Sequence, residues 1–161
     1  MQKMTTCLWF DGNAEEAVKF YTSVFKKSKI LKKTRIGKAG FEIHGRPEGS
    51  ILTISFQING QEFLALNGGP LFKFNEAISI MVICDTQKEI DDLWKKLSYH
   101  KESEACGWLK DKFGLSWQIA PKIILELQSS KVTKKTESMM KALLKMKKLD
   151  IKKLKKAYEE G

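Results

Sequence analysis

The feature that most constrains the fold of this chain is an order of predicted elements that its sequence contains twice. In the first half, an apolar run over residues 5–10 predicts a strand, and apolar residues at a 3.6-residue period then predict a helix. Asn13 and Glu16 are placed as a capping pair for this helix. Three strands follow, and Asn59-Gly60 joins the last two, because a type I′ hairpin turn needs positive φ at both central residues. The first half therefore predicts a βαβββ module.

The second half begins the same order about 73 residues further along the chain. Residues 78–84 predict a strand, and Thr86 with Glu89 forms a capping box in front of a second amphipathic helix. A short strand near residues 104–105 and a hairpin over residues 106–120 then complete the pattern. The second half therefore predicts another βαβββ module.

The sequence divides into a domain of two modules and a basic extension. The modules cover about residues 4–70 and 76–121 of a domain at 1–121, and the helical extension covers 122–161. Of the net charge of +10, the extension holds +7, from 12 lysines and five acidic residues. Lysine-rich helices of this kind usually present a solvated face, and no aromatic platform accompanies them, so we expect neither nucleic-acid nor membrane binding. The helices of the extension carry predicted apolar stripes, which need a surface to pack on, either on the same chain or on a partner subunit. The stripes comprise Val132, Met139, Met140, Leu143, Leu144, Ile151, Leu154 and Tyr158.

Three cysteines indicate the compartment. Cys7, Cys84 and Cys106 are an odd number and lie in apolar runs, which predicts buried thiols in a reducing environment rather than a disulfide framework. No apolar run approaches the roughly 18 residues that span a bilayer, and the N-terminus lacks the organisation of a signal peptide. We therefore expect a cytoplasmic protein.

Three segments carry a resemblance to a known family. Residues 7–17, 63–70 and 106–118 resemble the PhnB-like proteins of the glyoxalase/bleomycin resistance/dioxygenase (vicinal-oxygen-chelate) superfamily, a group often labelled 3-demethylubiquinone-9 3-methyltransferase. Residues 142–151 are similar to an extension common in that group. The resemblance implies an α+β fold, in which paired βαβββ modules form a curved mixed sheet with a cleft, and it implies a homodimer. It does not name an activity, because one fold hosts many chemistries.

The resemblance also implies positions for a metal site. Catalytic members of the superfamily hold a divalent metal with His and Glu from the first, fourth, fifth and eighth strands. Those positions fall near Thr6, Ala65, Ile78 or Ser79, and Gln118 in this sequence. None is a good metal ligand, since lasting affinity needs imidazole, carboxylate or thiolate donors. We therefore predict no metal and no cofactor.

The leading hypothesis is a protein that binds, or acts on, a small organic molecule of unknown identity in the cleft. We predict a pocket lined by Trp9, Asn67, Trp108 and Gln118, in which aromatic rings enclose a flat ligand and amides fix its orientation. An amide at Gln118 keeps hydrogen bonding and carries no charge, so it suits a neutral ligand rather than a metal. The aromatic residues would look the same if they were only core.

Three alternatives remain open from the sequence. A metal-dependent lyase, isomerase or dioxygenase could use unusual ligands such as Glu62 or Glu104, whereas His44 and His100 lie away from the strand positions. The family label suggests a methyltransferase. The basic tail suggests an interaction protein. One further pair, Lys110-Asp111, reads either as interacting groups at the mouth of the second module or as ordinary residues of a surface turn.

Overall fold

The computed structural model describes residues 4–39, 41, 45–127 and 131–161. The chain forms two compact units, Met1–Lys73 and Phe74–Gly161. Each unit contains one mixed β-sheet, and the fold is α+β, as the sequence predicts. Residues 37–49, whose four glycines predict a loop, are described only at 37–39, 41 and 45–49, and His44 lies outside the described residues. No helix in the described ranges is long and apolar enough to cross a membrane.

The first unit is the predicted βαβββ module. Its sheet has the order β1-β4-β3-β2, with β1 parallel to β4 and the other neighbours antiparallel. Asn59 and Gly60 have φ values of 48° and 88°, which confirms the predicted tight turn between β3 and β4. The elements are β1 (Thr6–Phe10), α1 (Ala14–Val24), β2 (Ser28–Arg35), β3 (Ile51–Ile58) and β4 (Gln61–Asn67).

Side chains alternate between two faces of this sheet. The face toward α1 is buried and holds Leu8, Phe10, Ile54, Phe56, Phe63 and Ala65. The other face is only half-buried, and we call it the open face of the first unit; it holds Trp9, Thr53, Ser55, Leu64 and Leu66. The period of two along each strand produces this division.

The second unit keeps the element order with one strand fewer. Its sheet has the order β5-β7-β6, with β5 parallel to β7 and β6 antiparallel to β7. The strand predicted near residues 104–105 is wrong, since only a single bridge joins Ala105 to Trp108. A 3-10 turn at Lys101–Ser103 precedes this bridge and positive φ at Cys106 follows it, so the segment is too short for a ladder. The elements are β5 (Ser79–Cys84), α2 (Gln87–Leu97), β6 (Trp108–Lys110) and β7 (Ser116–Pro121).

The two helix starts differ. The capping box of Thr86 and Glu89 at α2 is confirmed, with both reciprocal hydrogen bonds present. Asn13 occupies the N-cap position of α1, but the predicted capping pair is wrong, because its side chain makes no capping hydrogen bond. Instead, the Asn67 Oδ1 at the end of β4 accepts from the Ala14 N–H at 2.9 Å. A residue distant in sequence thus supplies the cap.

The C-terminal extension belongs to the second unit. It contains α3 (Lys122–Leu127), α4 (Lys134–Leu144) and α5 (Ile151–Glu159), and Asp150 caps α5 as predicted, with the Lys153 N–H donating at 3.0 Å. The apolar stripe is narrower than predicted, because Val132 precedes α4 and is 81% exposed. The stripes meet in one small core on the same chain, formed by Ile124, Met139, Leu143, Leu149 and Leu154.

Candidate functional site

One row of side chains crosses the sheet of the second unit on the face opposite its buried core. Trp108 and Gln118 are direct cross-strand partners on β6 and β7, and Met81 on β5 is paired with Gln118. Residues paired in this way point to the same side of a sheet. The Gln118 Nε2 donates to the Ser79 Oγ at 2.8 Å. The structure therefore brings together two of the four predicted pocket residues, in a row we call the open face of the second unit.

A cavity of about 320 Å³ lies beside this open face. Its lining includes Met81, Trp108 and Gln118 from the sheet and Leu125 and Leu143 from the extension. The volume is at the lower end of the range for small-molecule sites, about 300–1,000 Å³. The cavity therefore suits a small ligand.

The chemistry of this cavity is apolar with a single amide. None of the described residues that line it carries a charged side chain. Because the Gln118 nitrogen donates to Ser79, its Oε1 is the atom of this amide that is available to accept a hydrogen bond from a ligand. Ser79 thus orients the amide, and the cavity matches a neutral ligand that carries a donor.

Trp9 lies on the open face of the first unit. Its ring sits over Gly68, where an added Cβ would lie 2.3 Å from the indole, and the edge of Phe72 meets it with 4.9 Å between ring centroids. The indole Nε1 donates to the Gly69 carbonyl at 2.8 Å. Its one polar group is therefore committed, so Trp9 offers a ligand only an apolar ring surface.

Asn67 has a different position from the other three predicted pocket residues. It lies on the helix side of the first sheet and is 3% exposed. Its Oδ1 accepts from Ala14, its Nδ2 donates to the Ile51 carbonyl at 3.0 Å, and its own carbonyl accepts from Arg46. The amide joins α1, β3 and β4, and a contact between Asn67 and a ligand stays a prediction.

The cysteines occupy three environments. Cys84 is buried, and burial together with the nearby Glu89 and Asp85 raises the pKa of its thiol to about 11, as expected of an inert thiol. Cys106 is half-buried and lines the cavity. The prediction of a buried thiol is wrong for Cys7, which is paired with Leu64 on the open face of the first unit and is exposed.

The superfamily's metal does not fit the residues at its threaded positions. Thr6 is exposed, Ala65 has no donor atom, and Ser79 and Gln118 hydrogen-bond to each other. The described part of the chain contains no group of three or more His, Cys, Asp and Glu side chains that could hold a metal ion. The donor set therefore gives no support for a divalent ion at these positions.

The other candidate ligands have partners of their own. Burial opposes ionisation of Glu104, but hydrogen bonds from Ser98 and Lys101 outweigh it, and the pKa of the carboxyl is lowered. The His100 Nδ1 lies 3.3 Å from the Glu102 Oε1. These groups are used in local pairs around the turn after α2.

Asp111 is a buried residue whose role the sequence did not indicate. Its Oδ1 accepts from the backbone N–H groups of Phe113 and Leu115, and its Oδ2 accepts from the Trp117 indole at 2.8 Å. Of the two interpretations left open for Lys110-Asp111, the ordinary surface turn is wrong for Asp111, which is fully buried, and Lys110 forms an ion pair with Glu76. A signal was available, because Asp side chains in turns often hydrogen-bond the backbone two residues further on.

Comparison with known proteins identifies related chains. The sequence model of the 3-demethylubiquinone-9 3-methyltransferase family matches residues 2–120. A PhnB protein from Bacillus cereus, which bears the same name provisionally, is 38% identical over 74% of this chain and 99% of its own, with a TM-score of 0.61. A protein from Staphylococcus aureus is 28% identical over 75% of this chain and 97% of its own, with a TM-score of 0.32. The search of curated proteins gave no match.

Proposed function

This chain belongs to the PhnB-like family labelled 3-demethylubiquinone-9 3-methyltransferase, and we propose that it binds a small, neutral organic molecule without a metal. The observation that carries the proposal is the cross-strand pair of Trp108 and Gln118 beside the cavity of the second unit. Trp108 offers an aromatic surface, and Gln118 offers an oriented acceptor. Trp9 and Asn67 belong to the first unit, and we keep them as candidate ligand contacts.

The uncharged lining supports a neutral ligand. A charge taken from water into an apolar cavity loses its hydration and needs a partner there, which the residues lining this cavity do not supply. A hydroxyl or N–H group, in contrast, would pair with the Gln118 Oε1.

Binding of a neutral probe tests this proposal. We expect 1-naphthol, a flat molecule with one hydroxyl donor, to quench tryptophan fluorescence at saturating concentration. Gln118→Leu removes the acceptor and should weaken binding about tenfold, since one lost hydrogen bond is worth about 1.4 kcal/mol. Gln61→Leu, at an exposed position in the hairpin of the first unit, is the matched control and should leave binding unchanged. Equal affinities for wild type and Gln118→Leu would contradict the proposed site.

Two alternatives from the family have direct tests. For a metal enzyme that uses Glu62 or Glu104, protein purified without a histidine tag should contain stoichiometric zinc, nickel or iron, and that result would overturn the metal-free proposal. For a methyltransferase, adenosylmethionine should bind in calorimetry. The strand order offers no doubly wound parallel sheet for that cofactor in the described residues, since each sheet has one parallel pair.

We also propose that the protein is a cytoplasmic homodimer. The family resemblance supports the dimer, and two apolar side chains on α4, Met140 and Leu144, remain exposed on the single chain. Three unpaired cysteines suit a reducing compartment. Sedimentation equilibrium at micromolar concentration tests the homodimer, and the mass of a monomer would contradict it.

A further inference from the structure

The extension is attached to the second unit through the turn that leads into β6. Cys106 and Gly107 have φ values of 52° and 87°, and this backbone directs their N–H groups to the segment between α4 and α5. The Cys106 N–H donates to the Met146 carbonyl and the Gly107 N–H to the Lys147 carbonyl, both at 2.8 Å. The contact is thus made by main chain and does not depend on exposed side chains.

A second attachment comes from α2. The Gln87 Nε2 donates to the Leu149 carbonyl at 3.1 Å, and its Oε1 accepts from the Ile151 N–H at 2.9 Å. Lys148 forms an ion pair with Asp91, with 2.6 Å between Nζ and Oδ1. The start of α5 is therefore fixed to the first turns of α2.

These attachments hold an aliphatic surface against the cavity. Leu125, Leu143 and Leu149 line it from the extension, whereas the oriented amide of Gln118 lines it from the sheet. The extension therefore contributes only hydrocarbon to the lining, and the sheet contributes the polar contact. A ligand that fits both has an apolar body and one hydrogen-bond donor.

The residues that the extension contributes to the cavity lie outside the family domain. The family match ends at residue 120, and the Bacillus cereus protein is covered over 99% of its length by 74% of this chain. The extension begins at Lys122, so residues such as Leu125 and Leu143 lie beyond the matched region. The shared domain supplies Trp108 and Gln118, and the extension adds the aliphatic part of the lining.

We propose that the extension forms a wall of the ligand cavity and selects the ligand, which is a neutral, largely apolar molecule with one hydrogen-bond donor. This inference rests on the proposed function and goes beyond it, because it assigns the selection of the ligand to residues outside the family domain. Leu125 is the residue that tests it best. Its side chain is 52% exposed and lines the cavity, so a substitution changes the wall without removing a core residue.

The experiment compares two leucine substitutions in the full-length protein. Leu125→Trp should fill part of the cavity and weaken 1-naphthol binding about tenfold or more. Leu31→Trp is the matched control, because Leu31 is 42% exposed on β2 of the first unit and does not line the cavity, so this variant should bind as wild type does. Gln118→Leu is measured in parallel, and circular dichroism confirms that all variants are folded.

The outcomes separate the two proposals. If Gln118→Leu weakens binding but Leu125→Trp behaves like Leu31→Trp, the role of the extension in selecting the ligand is overturned and the proposed function stands. If both Gln118→Leu and Leu125→Trp bind as wild type does, the proposed function fails and the wall fails with it. A further comparison tests the ligand class, since 1-naphthoate carries a charge and should bind at least about tenfold more weakly than 1-naphthol. Equal affinities for 1-naphthol and 1-naphthoate would overturn the inference that the ligand is neutral.

Discussion

The two units start from one plan and complete their structures differently. The first unit has four strands, and its sheet is covered on one face by α1 from within the module. The second unit has three strands, and its last strand leads into an extension that forms a further small core. The difference indicates that the extension is part of the second unit rather than a tail attached to a finished domain. It also explains why a cavity with an added wall occurs in this unit.

The strongest test of this difference is at Gly107, where the second unit meets its extension. A Cβ there would lie 2.9 Å from the Leu149 Cδ1 and 3.1 Å from the Ile119 carbonyl oxygen, and φ is 87°. Gly107→Ala should therefore lower the free energy of unfolding by about 2–5 kcal/mol, from left-handed strain and crowding together. Urea unfolding measures the loss, and hydrogen exchange should show faster exchange in α5.

Gly114→Ala is the control for backbone strain. Gly114 has a similar φ of 84°, but an added Cβ would meet no atom within 4 Å. This variant should lose only about 1–2 kcal/mol. If the two alanine variants are equally stable, the contact between the turn and the extension does not contribute as we describe.

The next test addresses the first unit, where Asn67 replaces a local cap. Asn67→Ala leaves the Ala14 N–H and the Ile51 carbonyl without their buried partner and should cost about 1–3 kcal/mol. Asn13→Ala removes a side chain without a capping hydrogen bond and should change stability by less than about 0.5 kcal/mol. Thermal unfolding of both variants compares their losses of stability, and a larger loss of stability for Asn13→Ala would contradict the role of Asn67 as the cap.

The smallest expected effect is that of the ion pair between Asp91 and Lys148. A hydrogen bond from Lys148, with a second from Gln87, lowers the pKa of Asp91 below its ordinary value of 3.8. Because the folded pKa is lower than the unfolded one, this stabilisation is present at neutral pH and is lost as the pH falls below about 3.8.

Both side chains of this pair are more than a third exposed, so Lys148→Met should cost less than about 1 kcal/mol at low salt. The loss should shrink in 1 M sodium chloride, because salt screens exposed charges. Urea unfolding at low salt and in 1 M sodium chloride measures this loss of stability. A loss that stays the same in high salt would mean that packing of the lysine stem, not its charge, holds the segment.

Much of the fold could be predicted because its signals are local. The confirmed predictions are the family, the α+β class, the Asn59-Gly60 turn and the capping box at Thr86. The signal for each of them lies in short runs of neighbouring residues. The cap from Asn67 could not be predicted in this way. It depends on the parallel pairing of β1 with β4, which places the end of β4 beside the start of α1.

The candidate site was predictable only in part. The antiparallel register of β6 and β7 makes two of the predicted pocket residues, Trp108 and Gln118, cross-strand partners, and their contact with a ligand stays a prediction. The wall from Leu125 and Leu143 was not predicted, because an apolar stripe on a helix shows that it packs but not on which surface. The apolar run around Cys7 predicts a buried thiol, but the run does not show which face of the sheet each residue takes, and Cys7 lies on the open face and is exposed.

The most direct measurement for the central claim is a titration of isotope-labelled protein with 1-naphthol in the presence of EDTA, followed by NMR. Binding at the open face of the second unit predicts shifts of the Trp108 indole N–H and of the Gln118 side-chain amide, with smaller shifts at Leu125. The chelator should not change them, because the proposed site uses no metal. Shifts that avoid Trp108 and Gln118, or that require an added divalent metal, would contradict the claim.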